Sequence, residues 1–114
     1  MDITPPMLKP AIWVAALLRR AQSAGAFATI IKKGDEDGGA VLLCVRARGG
    51  MCTLYRPVRN VEGARVWWPK GPMSEADMDP YLRARQETDP DIWIVEIEDN
   101  KGRHFITEPI ETST

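Results

Sequence analysis

The sequence lacks an uninterrupted apolar run near the ~18 residues that a membrane-spanning helix needs, and it has no strong excess of either charge. Its 15 basic and 16 acidic side chains leave a net charge of −1, whereas dedicated nucleic-acid-binding domains are usually strongly basic. The apolar stretch after Pro10 leads into Arg19 and Arg20 rather than to a small-residue cleavage site. We therefore expect a cytoplasmic protein that does not enter a membrane.

The sequence also lacks the motifs that identify common catalytic sites. The chain has no Gly-x-Ser-x-Gly elbow, phosphate-binding loop or dinucleotide fingerprint, and His104 is its only histidine. Asp91, Glu96 and Glu98 resemble part of a nuclease metal site, but Glu98 stands where such a site needs lysine, and Asp91 and Glu96 leave opposite faces of one strand. We predict no cofactor, no metal site and no catalytic residue.

Cysteine is scarce as well, since Cys44 and Cys52 are the only two. Gly49-Gly50 between two strand-like runs predicts a two-residue hairpin turn, which would pair Ala47 with Cys52. That register places the two thiols on opposite faces of the sheet. We therefore expect two free thiols rather than a disulfide.

The residues that are present predict one small α+β domain. A chain of 114 residues with 44% hydrophobic content can bury a core without disulfides or metal. We predict a flexible arm at 1–9, a single domain at 10–108 and a polar tail at 109–114. The expected sheet is antiparallel or mixed, with five to six strands and both helices on one face, in the order α-β-β-β-(β)-α-β-β.

Local signals place the individual elements. The predicted helices are 10–24 and 74–88, and the predicted strands are 26–33, 40–48, 51–58, 65–69, 92–97 and 102–107. Pro80 lies inside the second helix and predicts either a kink or a restart with Asp79 as the N-cap. The run from Ile92 to Ile97 is the most strand-like in the chain, so we expect it to lie inside the sheet.

Charge is divided unevenly along the chain. Up to Pro72 there are eleven basic and five acidic residues, and after it four basic and eleven acidic ones. We predict that Glu96 and Glu98 pair with arginines of the earlier hairpin. The candidate arginines are Arg46, Arg48 and Arg56. The alternative is a two-signed surface that docks a partner or a second copy of the chain.

Several segments together resemble one protein family. They are Trp13 with Leu17-Leu18-Arg19-Arg20, Gly25-Ala26, Gly34-Asp35 with Gly39, and the run from Asp89 to Asp99. This combination, from about Trp13 to His104, is similar to small alphaproteobacterial proteins grouped as domain of unknown function 1491, although Pro80 departs from that pattern. The resemblance implies a cytoplasmic bacterial protein with no assigned activity, and it transfers no catalytic or binding residue.

The residues favour a non-enzymatic interaction or regulatory module that binds a protein partner or self-associates as a homodimer. The expected contact is a sheet edge or a surface formed by Arg65, Trp67, Trp68 and Lys70, because tryptophan beside arginine is typical of interfaces. The same tryptophans could instead tuck under the second helix. One alternative is a small ligand- or metal-binding enzyme that uses Asp35, Asp91 and His104. Another is nucleic-acid binding through the basic first half, which the acidic second half disfavours.

Overall fold

A computed structural model of the protein describes residues 9–111. Its elements are α1 (Pro10–Ser23), β1 (Phe27–Lys32), β2 (Val41–Arg46), β3 (Cys52–Arg59), β4 (Arg65–Met73), α2 (Glu75–Thr88) and β5 (Trp93–Glu98). The five strands form one mixed sheet in the order β1-β5-β2-β3-β4. The predicted α+β class and the interior position of the Ile92–Ile97 run are confirmed. No helix within residues 9–111 is both long enough and apolar enough to cross a membrane.

The pairing directions explain the mixed sheet. β1 pairs with β5, β2 with β3 and β3 with β4, all antiparallel, whereas β2 and β5 run parallel. The parallel pair needs a long crossover, and the chain makes it through β3, β4 and α2. β5 is therefore inserted between β1 and β2, two strands that come much earlier in the sequence.

The two helices lie on opposite faces of the sheet, so the prediction that they share one face is wrong. Leu43 and Val45 of β2 pack in the α1 core with Leu17, while Leu42 packs in a second core with Met78 of α2. All five residues from Val41 to Val45 are buried, as expected for a strand that is covered on both sides. The unbroken apolar run in β2 was the signal for this arrangement.

The β2–β3 hairpin differs from the predicted register by one position. The amide of Ala47 donates to the carbonyl of Met51 (3.0 Å), so the turn contains Arg48 as well as the two glycines. Cys44 then pairs with Leu54, and Cys52 pairs with Arg46. Both thiols are free, but they lie together in the α2 core. The prediction of opposite faces is wrong because a one-residue shift reverses every side chain.

Two other predictions about the elements are also corrected. α2 runs without a break through Pro80, so the restart at Asp79 does not occur, and Ser74 caps the helix by accepting from the amide of Asp77 (3.2 Å). Residues 102–107 do not form the predicted return strand. Both edges of β5 are already paired with β1 and β2, so the following segment has no place beside it and crosses the α1 face instead.

The terminal segments lie partly outside the described residues. Of the predicted arm at 1–9, only Lys9 lies within the described residues. Its carbonyl accepts from the amides of Ile12 and Trp13 (3.0 Å each) at the start of α1. Residues 112–114 of the predicted polar tail also fall outside. Within the described part, Ile110 forms a parallel bridge with Trp67 of β4, so residues 109–111 belong to the folded unit.

Candidate interaction surfaces

The three side chains proposed for an enzyme or metal site do not form one site. The amide of Asp35 donates to the carbonyl of Asp91 (3.0 Å), which ties a loop to the start of β5. His104 lies against Tyr55 on the α1 face, with ring centroids 5.0 Å apart. Within residues 9–111, no group of three or more His, Cys, Asp or Glu side chains could hold a metal.

His104 is held as a neutral acceptor. Its Nδ1 accepts a hydrogen bond from the amide of Ile106 (2.9 Å), and burial lowers its pKa below the ordinary histidine value. The neutral ring thus orders the segment after β5 on the α1 face. A structural role accounts for the only histidine in the chain.

The acidic side chains of β5 meet a single arginine. Arg46 Nε lies 3.2 Å from Glu96 Oε1 and 3.8 Å from Glu98 Oε1, and its Nη1 lies 2.9 Å from Glu75 Oε2. The other two candidate arginines, Arg48 and Arg56, make no ion pair within the described part of the chain. Arg46 is held by three carboxylates, and its pKa is raised, chiefly by the hydrogen bond to Glu75.

The geometry of this cluster follows from strand pairing. Arg46 and Glu98 are direct partners across the parallel β2–β5 pair, as are Cys44 and Glu96, so these side chains leave the sheet on the α2 side. Sequence reasoning missed Glu75, because it depends on where α2 begins over the sheet. Beneath the cluster, burial raises the pKa of the Cys44 thiol to about 12, with the neighbouring Cys52 and Glu96 adding to the effect.

A second ion pair fixes the turn after β5. The buried Asp99 accepts from Nε and Nη2 of Arg103 (3.0 and 2.8 Å) and from the Arg103 amide (2.8 Å). These bonds lower the pKa of Asp99 far below its ordinary value, the side-chain bond from Arg103 contributing most. Because the Arg103 Nη2 also donates to the Ala24 carbonyl (3.3 Å), the pair links this turn to the end of α1.

This pair predicts how stability changes in acid. A carboxyl group with a depressed folded-state pKa stabilises the fold above its unfolded pKa of about 3.9, and that contribution is lost as pH falls through the folded value. Asp99→Asn is therefore expected to lower stability at neutral pH and to flatten the loss of stability below about pH 4. Urea unfolding at several pH values measures this. An acid limb as steep as that of the parent would contradict it.

The predicted tryptophan surface is divided between the two faces of the sheet. Trp67 is only 7% exposed and stacks on Trp13 of α1, with centroids 5.0 Å apart and an interplanar angle of 22°. Trp68 points to the other face. Arg65 is exposed at the start of β4. The prediction of one surface that contains both tryptophans is wrong.

What the structure brings together instead is a basic-aromatic surface on the α2 side. We define it as Arg56, Trp68, Lys70 and Tyr81. The guanidinium carbon of Arg56 lies 5.8 Å from the Trp68 ring centroid, and Lys70 Nζ lies 5.3 Å from the Tyr81 ring centroid. Both contacts are within the range of cation–π attraction. The surface therefore presents two cations that aromatic rings hold in place.

The two edges of the sheet are protected to different degrees. On β4, Pro69 and Pro72 lack amide protons and Ile110 already pairs with Trp67; prolines of this kind block the addition of another strand. On β1 there is no proline, and within residues 9–111 only its inner side is paired, with β5. We call this outer side the β1 edge.

Apolar side chains accompany the β1 edge. Phe27 is 75% exposed and Ile31 is 55% exposed, and Ile30 is also partly open to solvent. A lysine at an edge opposes the addition of another strand. The ammonium of Lys32 instead points inward and donates to the carbonyls of Pro90 and Ile92 (2.7 and 3.1 Å). Sequence reasoning found this strand but could not know that it lies at an edge, because strand order was not readable.

The chain is similar in sequence and in fold to several known proteins. The family model described as "Protein of unknown function (DUF1491)" matches residues 8–107. A crystal structure of a DUF1491 family protein from Caulobacter crescentus is 48% identical, with a TM-score of 0.85, over 92% of this chain and 100% of that one. An NMR structure of a DUF1491 family protein from the same species is 47% identical, with a TM-score of 0.82, over 92% and 98%.

A more distant structure has the same fold. The solution structure of a protein from A. tumefaciens is 28% identical, with a TM-score of 0.77, and the match covers 94% of this chain and 98% of that one. No curated protein matches the chain.

Proposed function

The chain belongs to the DUF1491 family, and from that premise we propose that it is a non-enzymatic interaction module of the bacterial cytoplasm that self-associates along the β1 edge. The observation that carries this proposal is a proline-free edge strand whose outer side pairs with nothing within residues 9–111 and which exposes Phe27 and Ile31. Such an edge is a template for adding another strand. A second copy of the chain supplies the same edge and buries the same side chains.

Charge favours an antiparallel arrangement of the two edges. Phe27 pairs with Glu98 at one end of β1, and Lys33 follows β1 at the other end. When two β1 strands run antiparallel about a twofold axis, the lysine end of each copy lies beside the glutamate end of the other. A parallel arrangement would bring like charges together, which costs stability.

The test is sedimentation velocity over a wide range of protein concentration. We expect the parent chain to shift from monomer to dimer as concentration rises, and Phe27→Lys to remain monomeric, because an edge lysine opposes strand addition. Phe27 is mostly exposed, so the substitution should leave the fold intact. Val61→Lys is the matched control, since Val61 is 102% exposed on a loop away from the β1 edge.

Two results would overturn the proposal. One is a parent chain that stays monomeric at the highest concentration. The other is a dimer that Phe27→Lys and Val61→Lys weaken equally, since that would place the contact somewhere other than β1.

A further inference from the structure

The basic-aromatic surface contains two hydrogen-bond donors that find no acceptor within residues 9–111. Arg56 and Trp68 are direct partners across β3 and β4. Arg56 Nε and Trp68 Nε1 are both shielded from solvent, and neither has a hydrogen-bond partner within the described residues. A buried donor that is left unpaired lowers the stability of the fold. Two such donors on directly paired residues indicate a place for an acceptor from outside the fold, which reaches the covered atoms when these half-buried side chains turn outward.

The other three tryptophans show how unusual Trp68 is. The indole of Trp13 donates to Glu108 Oε2 (3.0 Å), and that of Trp93 donates to the Asp35 carbonyl (2.8 Å). In the part of the chain that the structure describes, the indole nitrogen of Trp67 is not a buried donor without a partner. Within the described residues, Trp68 alone combines a shielded, unpaired indole with a neighbouring guanidinium.

The chemistry of the missing acceptor follows from the surrounding charge. Neither Arg56 nor Lys70 makes an ion pair with any residue between 9 and 111, so both cations are open to a negative group. A carboxylate has two oxygens that accept from an arginine and from a second donor together. We propose that the basic-aromatic surface binds an acidic segment of a protein partner, with Arg56 Nε and Trp68 Nε1 donating to one carboxylate and Lys70 facing the next.

An acidic peptide fits this surface better than a nucleic acid does. Binding a phosphate backbone requires a row of cations, since affinity grows with the number of phosphates that are neutralised. Here two cations lie on a chain that carries eleven acidic and four basic residues after Pro72. A nucleic acid would extend its charge beyond this pair, where acidic residues repel it, whereas a short acidic segment needs only the local pair.

This site is separate from self-association. β1 and β4 are the two opposite edges of the sheet, and the basic-aromatic surface lies at the β4 side. A dimer formed through β1 would therefore leave the surface open on each copy. Failure of the β1 dimer would leave this inference standing, and the reverse also holds.

The test reads the indole N–H signals of the 114-residue chain by NMR during titration with capped hexaglutamate peptide. We expect the Trp68 signal to move in a saturable way as its N–H gains an acceptor. The signals of Trp13 and Trp93, already hydrogen bonded, should stay in place and report an intact fold. Capped hexaglutamine has the same length without charge and is expected to leave Trp68 unmoved.

Substitutions then assign the contact. Arg56→Gln is expected to weaken hexaglutamate binding about tenfold, because it removes a hydrogen bond to a charged group. Lys70→Gln should weaken it less, because Lys70 faces only the next carboxylate. Arg83→Gln is the matched control, since Arg83 is exposed on α2 and outside the surface, and it should bind like the parent.

Four results would overturn the inference. Hexaglutamine could move Trp68 as far as hexaglutamate does, or Arg83→Gln could weaken binding as much as Arg56→Gln. A single-stranded thymidine oligonucleotide could move Trp68 at lower concentration than the peptide, which would identify a nucleic-acid site. The Trp68 signal could also shift with protein concentration alone, which would identify a second copy as the occupant.

Discussion

Replacing Gly39 with alanine is expected to lower the free energy of unfolding by about 3 kcal/mol, because the added carbon has no room. Gly39 is buried in the loop between β1 and β2. A Cβ there would overlap the Asp91 carbonyl oxygen and press on the backbone N and O of Asp35 (3.1 and 3.2 Å). These are backbone atoms, which cannot rotate away as a flexible side chain can.

The neighbouring hydrogen bonds prevent relaxation around Gly39. The Asp91 carbonyl accepts from the Asp35 amide (3.0 Å), and the Asp35 carbonyl accepts from the Trp93 indole (2.8 Å). Trp93 in turn donates its amide to Ala40 (2.8 Å). Moving the loop to admit a methyl group would break this closed set of bonds at the start of both β2 and β5.

Gly38→Ala provides the matched control for this prediction. It is the adjacent residue, it is exposed, and a Cβ there would meet only Asp35 Oδ2 at an ordinary distance of 3.6 Å. Urea unfolding followed by tryptophan fluorescence compares the two variants with the parent. Equal stability of the two variants would contradict the close approach of this loop to β5.

Replacing Arg46 with methionine is expected to cost about 2 kcal/mol of stability, less than for a fully buried pair because the Arg46 side chain keeps 22% exposure. Methionine preserves much of the side-chain length while removing the charge. Glu96, equally enclosed at 22%, would then lose its only cation within the described residues. Glu98 and Glu75 are more exposed, so their loss of pairing should contribute less.

Two further variants distinguish the ion cluster from general packing. Arg48→Met changes an exposed residue of the same hairpin that lacks an ion pair in residues 9–111, and it should leave stability within about 0.5 kcal/mol of the parent. Adding Glu96→Gln to Arg46→Met should recover part of the lost stability, since it removes the carboxylate charge that Arg46→Met leaves without a cation. A double variant less stable than Arg46→Met would show that Glu96 stabilises the fold without its arginine.

Much of the fold was readable because the local signals were strong. Pro10 and Gly25 bracket α1, Ser74 opens α2, and the Ile92–Ile97 run has the composition of an interior strand. What could not be read was the arrangement of these elements. The hairpin turn at Gly49-Gly50 admits two- and three-residue forms, and the choice between them decides which face receives Cys52.

The order of strands decided most of the remaining errors. A strand that pairs in parallel with a distant strand gives no local signal, so β5 appeared free to form a hairpin with residues 102–107. Once β1 and β2 flank β5, that hairpin has no edge to use. The same insertion makes β1 an edge strand, which is why Phe27 and Ile31 stay exposed although they lie in apolar sequence.

The interaction residues were partly readable and partly not. Consecutive residues of a strand point to opposite faces, so the separation of Trp67 from Trp68 follows from the sequence once strand β4 is accepted. Arg46 was one of three candidates for Glu96, and only the register of two pairings selects it. Tyr81 joins Lys70 through the position of α2 over the sheet, which no spacing in the sequence reveals.

The insertion of β5 also has a consequence during synthesis. A ribosome releases β1 early, yet β5, its one partner strand within residues 9–111, is made about sixty residues later. Until Glu98 leaves the exit tunnel, the apolar segment from Phe27 to Ile31 lacks β5, while β2, β3 and β4 can already form a meander. The sheet of the nascent chain therefore stays incomplete until β5 is synthesised. During that interval, β1 is the segment that a chaperone for extended apolar segments would bind.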